Sequence, residues 1–293
     1  MNLSLLLECL EEKKVVNQSP KNITDIYYNS MHAKDGGLFF AIQGFNEDGH
    51  RFIYDAYNNG SVAAIGEKQI EVPKGLTYVM VPDSRAAMAK VSALFYDYPS
   101  RKLKVIGVTG TNGKTTTTHL IESILREASF SVGVIGTINY RFLNQEYSST
   151  RTTPEAIDLN KMLHEMANVS VDYAILEVSS HSMDLQRVTG IDFIGGVFTN
   201  LSEEHLDYHK TMEHYFDCKK RFFTETLTHS WYNETFCAIN LDDEYGERLI
   251  DDVTHMYCMP FGEKAHARVR PEVVKLSLNG IRSEISTPSG TIH

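Results

Sequence analysis

No Cys-x-x-Cys pair occurs in this sequence. The four cysteines, Cys9, Cys218, Cys237 and Cys258, are widely spaced, which predicts no zinc site and reads as reduced thiols in a cytoplasmic protein. No apolar run approaches the roughly 18 residues that a membrane-spanning helix needs. The first residues, Met1 to Glu12, are leucine-rich but turn acidic, a poor match to a signal peptide. Basic residues are outnumbered, 28 Lys and Arg against 38 Asp and Glu, for a net charge of −10. That balance argues against nucleic acid or an anionic membrane as the main partner. Internal repeats and low-complexity segments are lacking too. Nothing in the composition fixes an oligomeric state, and a monomer is the default expectation.

What is present is an α/β pattern long enough for two domains, with 42% hydrophobic residues over 293 positions. Its focus is Val105 to Leu120. A short apolar strand, Val105 to Val108, runs into a glycine-bearing turn, Gly110-Thr111-Asn112-Gly113, and then into a helix opened by Lys114, Thr115 and Thr116. Such a turn lets successive backbone N–H groups face a phosphate. A lysine then supplies a mobile cation, a threonine hydroxyl reaches a magnesium ion, and the helix N-terminus adds roughly half a positive charge. The spacing departs from the common phosphate loop, because Thr109 stands where the first glycine usually does.

Before this turn, a short amphipathic helix (Leu3 to Leu10) is followed by alternating segments: strands at Ile23–Tyr27, Gly37–Ile42, Val62–Ile65 and Thr77–Val81, and helices at Arg51–Tyr57 and Ser84–Tyr96, the last capped by Asp83. Tyr98-Pro99-Ser100 breaks the pattern and divides the chain into residues 1–99 and 100–293. The loop Gln43 to His50 is a ligand rim or simply a connection.

Beyond the turn, the helix from Thr115 to Ala128 is expected to pack Leu120, Ile121, Ile124 and Leu125 against a parallel sheet. Strands follow at Val132–Ile135, Tyr173–Val178 and Phe193–Thr199, with a helix from Ala156 to about Met166. Thr152 and Thr153, beside Pro154, have hydroxyls for a ligand carboxylate or phosphate, or Thr153 is an ordinary helix cap. Ligands of open α/β sheets bind outside the carboxyl ends of the strands. Glu177 ends one strand and is placed for magnesium; His205 follows another and is a candidate ligand.

The next helix, Thr211 to about Thr224, aligns Met212, Tyr215, Phe216, Phe222 and Phe223 on one stripe. Lys219 falls on that stripe, while Lys220 points about 100° away. A lysine held there must be paired, neutral or chemically altered, for instance by carbon dioxide to a carbamate; otherwise it snorkels to solvent.

Gly-Thr-Asn-Gly-Lys-Thr-Thr (110–116), Thr-Thr-Pro-Glu (152–155), Glu-Val-Ser-Ser-His (177–181), Gln-Arg-Val (186–188), Phe-Thr-Asn-Leu (198–201), His-Leu-Asp-Tyr-His (205–209) and Tyr-Phe-x-x-Lys (215–219) occur in this order. The set resembles the Mur ligases, most of all the MurE type, which adds the third residue of the peptidoglycan stem peptide. The likeness continues through Ala238 to Asp243 and reaches back to Gly37–Ile42 and Asp48-Gly49-His50. It implies an N-terminal UDP-precursor-binding α/β domain and a central, mostly parallel-sheet ATPase domain. It further implies ATP on Gly110 to Thr116, with Asn240 near the adenine, and magnesium on Thr115, Glu177, His205 and a carbamylated Lys219. Lys114, Lys219 and His205 would be catalytic. UDP-N-acetylmuramoyl-L-alanyl-D-glutamate would be held by Ser30, Asn46, Thr152, Thr153, Ser179, Gln186 and Arg187, and an amino acid, diaminopimelate or lysine, would be the second substrate. A related ligase for another acid, such as folylpolyglutamate synthetase, and a non-catalytic nucleotide-binding fragment are the alternatives.

Two departures stand out. Asn29-Ser30-Met31 replaces the Asp-Ser-Arg usual near the uridine, so the serine survives without its charged neighbours. At the other end, strands at Val273–Leu278 and Ile281–Thr287 flank Asn279-Gly280, a strong hairpin signal, and Thr291-Ile292 begins a strand it does not finish. This reads as a chain cut short, without the family's third domain.

Overall fold

The computed structural model describes residues 1–278 and 280–292. Two compact units form. The first contains Met1–Pro99 together with Pro154–Glu165 and Leu185–Gly190, and the second contains the remainder.

In the first unit five strands, β1 (Lys14–Val16), β2 (Asp25–Tyr27), β3 (Gly37–Phe40), β4 (Ser61–Gly66) and β5 (Thr77–Met80), are ordered β1-β5-β4-β3-β2. All pairings are parallel except β1 with β5. The run Gly-Leu-Phe-Phe of β3 is buried on both faces, as a central parallel strand requires. Leu38 and Phe40 join one core with Ala87, Met88 and Val91 of the helix Ser84–Phe95, whereas Phe39 joins another with Ile53 and Ala56 of the helix Ile53–Asn58. Asp83 caps the longer helix, accepting from the N–H groups of Arg85 and Ala86. β1 carries no clear alternation and was not legible as a strand.

The second unit holds an eight-stranded sheet made of β6 (Lys104–Thr109), β7 (Val132–Ile135), β8 (Asn139–Phe142), β9 (Gln145–Ser148), β10 (Tyr173–Glu177), β11 (Phe193–Phe198), β12 (Phe236–Asn240) and β13 (Tyr257–Phe261). The order is β13-β12-β11-β6-β10-β7-β8-β9. The first six in that order run parallel and the β8–β9 hairpin is antiparallel. β10 and β11 therefore leave on opposite sides of β6, which puts the topological switch, and the expected crevice, at the carboxyl end of β6.

One expectation about packing fails. The helix Lys114–Glu127 does not turn Leu120 and Ile124 toward the sheet; they are 59% and 68% exposed. The buried face is Thr118 and Glu122, with Ile121 and Leu125 packed on Val108, Val134 and Ile175. Glu122 can lie inward because Arg141 of β8 and Arg126 meet its carboxylate. This ion cluster, not apolar periodicity, sets the helix rotation, and it also fixes the hairpin that the sequence left unassigned.

The helix Met212–Arg221 continues into a wider π-type turn, Phe222–Leu227, which lets the adjacent rings Phe222 and Phe223 both face inward. A separate antiparallel sheet follows: β14 (Arg270–Ser277), β15 (Gly280–Thr287) and β16 (Gly290–Ile292). Asn279, half of the expected turn, lies outside the described residues, as does His293.

Candidate active site

β6 delivers the chain into Gly110 with a backbone φ of +143°, and a Cβ there would stand 2.0 Å from Thr199 Oγ1. Only glycine fits. Gly113, at φ +83°, caps the helix that starts at Lys114. The end of β11 pins the turn between them. Asn200 accepts from the N–H groups of Thr111 (2.8 Å, at its carbonyl) and Asn112 (2.9 Å, at its side chain), and Thr199 Oγ1 donates to the Asn112 carbonyl at 2.7 Å. The first N–H groups of a helix have no partner within it. Lys114, Thr115 and Thr116, the residues that open this helix, line a cavity of about 370 Å³ with Thr137, Thr152, Glu177, Glu204 and His205.

Lys114 folds back over the turn, its Nζ donating to the carbonyls of Gly110 (2.9 Å) and Thr111 (2.7 Å). Burial lowers its pKa, opposed by the carboxylates of Glu177 and Glu204. Thr115 Oγ1 donates to Glu177 Oε1 at 2.9 Å. The same carboxylate accepts from the N–H of Thr137 (3.0 Å) and, through Oε2, from its hydroxyl (2.9 Å); that hydroxyl lies 3.1 Å from Thr152 Oγ1. An ionised carboxylate has about four acceptor positions, so Glu177 keeps room for a cation. A threonine hydroxyl beside a buried carboxylate on the wall of this cavity is an oxygen donor set suited to magnesium. His205 sits on the cavity wall in a left-handed conformation (φ 56°), its ring 4.9 Å from that of His181.

Lys219 is not at the surface. It is 1% exposed, and its Nζ donates to the Gly110 carbonyl at 2.8 Å and lies 4.7 Å from the centre of the Tyr215 ring. It thus stands behind the turn whose front forms the cavity. Burial drives its pKa far down, and the nearby Lys114 charge adds to the effect. Snorkelling is ruled out by the geometry. Tyr215 in turn reaches Thr111 Oγ1 at 3.1 Å, tying the helix of Lys219 to the turn.

The seven residues expected to hold the UDP precursor fall in both units. In the second, Thr153 is buried and donates to the Glu177 carbonyl at 2.7 Å, with Ser179 Oγ 3.3 Å away; Thr152 faces the cavity. In the first, Arg187 is buried and pairs with Glu155 Oε1 at 3.0 Å, while Arg85 approaches the other oxygen at 3.4 Å. Gln186 adopts φ 57° and accepts from Thr189 at 2.5 Å. Asn46 is exposed on its loop. Ser30 is buried, in a turn where Asn29 accepts from the Met31 N–H. Asn29, Met31, His32 and Lys34 border a cavity of about 490 Å³ closed by Tyr28, Tyr96, Asp158 and Lys161. Asn240, at the end of β12, donates to the Thr199 carbonyl at 2.8 Å. Thr137, Thr199, Asn200 and Glu204 also shape the site. The signal that could have found them is position, since Thr199 directly follows one parallel strand and Thr137 stands two residues after another.

Two family models match the chain: the Mur ligase family catalytic domain over residues 22–102 and the Mur ligase middle domain over residues 108–293. A UDP-N-acetylmuramoyl-L-alanyl-D-glutamate–2,6-diaminopimelate ligase of Geobacter metallireducens is 40% identical over 293 residues, covering 100% of this chain and 57% of that protein. The protein of the same name in Clostridium botulinum is 42% identical over 253 residues, 85% of this chain and 50% of that one. A solved structure of a ligase with this name superposes with a TM-score of 0.82 at 25% identity, over 98% of this chain and 58% of the other. The chain spans little more than half the length of these relatives. With a middle-domain model matched from the phosphate turn onward and a second model of the same family before it, the chain belongs to the Mur ligase family.

Proposed function

We propose that this chain, with its two units, belongs to an ATP-dependent amide ligase that adds diaminopimelate to UDP-N-acetylmuramoyl-L-alanyl-D-glutamate. The observation that carries this reading is the pairing of Thr115 with a buried Glu177 at the mouth of the cradle, backed by an interior Lys219 on Gly110. The names of the relatives supply the substrates. Such a ligase would work in the cytoplasm, where the nucleotide-linked precursor and ATP are found together.

In the first step the D-glutamate carboxylate attacks the γ-phosphorus of ATP, the bond to the bridging oxygen breaks, and ADP leaves. In the second, the amine of diaminopimelate attacks the acyl carbon, phosphate departs with the bonding pair, and the ammonium proton passes to solvent. The protein positions two anions against each other and screens them. Lys114 exchanges its carbonyl partners for phosphate oxygens, and the N–H groups of residues 113–116 hold the β- and γ-phosphates. Asn240 lies toward the adenine. Thr115, Glu177 and His205 would hold magnesium, which when bound neutralises charge on the phosphates. The neutral amine of Lys219 would attack carbon dioxide, forming an N–C bond as one C=O pair moves onto oxygen and an N–H proton passes to solvent. The resulting carbamate adds an anionic oxygen donor behind the turn. Thr152, Thr153, Ser179, Gln186 and Arg187 would orient the peptide end of the precursor, and Ser30 and Asn46 its uridine end, beside the cavity bordered by Asn29 and Met31.

Calorimetric titration of this chain with UDP-N-acetylmuramoyl-L-alanyl-D-glutamate, in the presence of magnesium and a non-hydrolysable ATP analogue, tests the proposal. Saturable binding is expected. A folded chain that binds neither ligand would overturn it, and binding of the analogue alone would move the assignment to a ligase for another acid.

A further inference from the structure

Next to the candidate active site, a second cluster of side chains converges from three separate segments. His209 ends a short helix, His214 and Cys218 lie one turn apart on the helix Met212–Arg221, and Asp184 ends the helix Ser180–Asp184. His209 Nδ1 lies 3.2 Å from His214 Nδ1 and 3.8 Å from Cys218 Sγ. Cys218 Sγ is also 3.8 Å from His214 Nε2 and 3.8 Å from Asp184 Oδ1, and the last two atoms are 3.9 Å apart. Among the described residues, His209, His214 and Cys218 form the group whose donor atoms all lie within 4.8 Å of one another.

We propose that His209, His214, Cys218 and Asp184 form a binding site for a borderline-soft divalent cation of the zinc class, distinct from the magnesium ligands of the cradle. With Zn–N of about 2.0–2.1 Å and Zn–S of about 2.3 Å, a tetrahedral ion sets nitrogen–nitrogen edges near 3.3 Å and nitrogen–sulfur edges near 3.6 Å. The cluster spacings already approach these values. Turning the His214 ring brings one of its two nitrogens to the vertex that both now border. His209 Nε2 lies 2.9 Å from Ser180 Oγ. A proton held there leaves the Nδ1 lone pair facing the cluster, the arrangement in which metal-binding imidazoles are normally held. Cys218 loses its thiol proton to solvent as the S–metal bond forms. Arg221 stands 3.5 Å from Asp184, whose negative charge it partners before an ion enters, and 3.8 Å from Cys218 Sγ. Entry is open because His214 and Asp184 side chains are 49% and 29% exposed, while His209 and Cys218 are buried.

A thiolate and two imidazoles exclude magnesium as the occupant. Cysteine spacing along the sequence gives no hint of this set, since it contains one cysteine and spans three segments.

The test is titration of the untagged chain, presaturated with magnesium, with cobalt(II) alone as the probe, followed by absorption spectroscopy. One equivalent should produce a near-ultraviolet thiolate-to-cobalt band and visible bands of tetrahedral cobalt, both abolished by zinc. Cys218→Ser should remove the near-ultraviolet band. His214→Ala, at a half-exposed position that leaves the packing intact, should weaken cobalt binding by at least tenfold. A folded wild-type chain without the thiolate band overturns the proposal, as does a band that survives Cys218→Ser or an affinity unchanged by His214→Ala.

Discussion

The Nζ atoms of Lys114 and Lys219 converge on one oxygen, the carbonyl of Gly110, at 2.9 and 2.8 Å. One lysine reaches it from the cavity side and the other from the interior. Both are held below their ordinary pKa, Lys219 much further. The shared acceptor ties the state of the interior amine to the position of the cavity-side one.

If the proposed ligase reaction holds, Lys219→Ala should reduce acyl-phosphate formation by roughly 10²–10³-fold or more, the scale on which lost transition-state electrostatics is felt. Short carboxylic acids should restore part of the rate, because they can place an anionic oxygen where the proposed carbamate would stand; bicarbonate should not. Full activity in the variant would remove the carbamate from the mechanism. A labelled carbonyl carbon taken up from ¹³CO₂ by wild type and not by Lys219→Ala is the direct spectroscopic check.

Glu177→Gln replaces an acceptor-only group with one that also turns an N–H₂ toward the donors of Thr115 and Thr137. Binding of the magnesium–nucleotide complex should weaken by about 10–100-fold, while binding of metal-free nucleotide in chelator should change little. Calorimetry with and without magnesium separates the two, and equal losses in both would point to a collapsed cradle instead.

Gly110→Ala should destabilise the second unit by about 1–3 kcal/mol through its positive φ and by a further amount from the contact with Thr199 Oγ1. Thr199→Ala in the same chain should return the contact part and leave the backbone part. Thermal or urea unfolding of the single and double variants measures both.

Leu120→Lys and Ile124→Ser should shift stability by no more than about 0.5 kcal/mol, as exposed positions do. Leu125→Ala, on the packed face, should cost distinctly more in the same urea titration. The reverse order would restore the rotation of this helix that apolar spacing alone predicts.

Asp48 gives a pH prediction. Burial alone would raise its pKa, but hydrogen bonds from Lys68 (2.6 Å) and from the ring (2.6 Å) and N–H (3.0 Å) of His50 outweigh this and hold it well below the ordinary 3.8. A carboxylate depressed in the folded state adds stability that is complete above its unfolded pKa and disappears as pH falls through the lower folded value. Acid unfolding of wild type should therefore show a component beginning near pH 4 and growing below it, absent from Asp48→Asn. Identical acid profiles would mean that this trio contributes nothing.

The parallel strands and the phosphate turn were readable because each has a local cause: β-branched runs such as Val-Ile-Gly-Val, and glycines that the turn requires. The inward lysine was readable as a conflict, a charge on an apolar stripe, though the sequence could not choose between burial and snorkelling; contact with the Gly110 carbonyl, 109 positions earlier, decides it. The rotation of the helix after the turn was misread because Glu122 is buried by partners on another strand. The pinning of Asn112 by Asn200 and the meeting of Thr137 with Glu177 were beyond reach for the same reason. They are long-range contacts with no periodic signature.

The membership of the two units carries a practical consequence. The chain passes from one to the other five times, at 99/100, 153/154, 165/166, 184/185 and 190/191. No single scission therefore yields both bodies whole. A clone spanning 100–293 would carry away Ala156 and Ile157, which belong to the interior of the other body, leaving a hole in one product and greasy residues without cover in the other. Anyone wishing to study the second body in isolation must redesign those two excursions, not just choose where to cut.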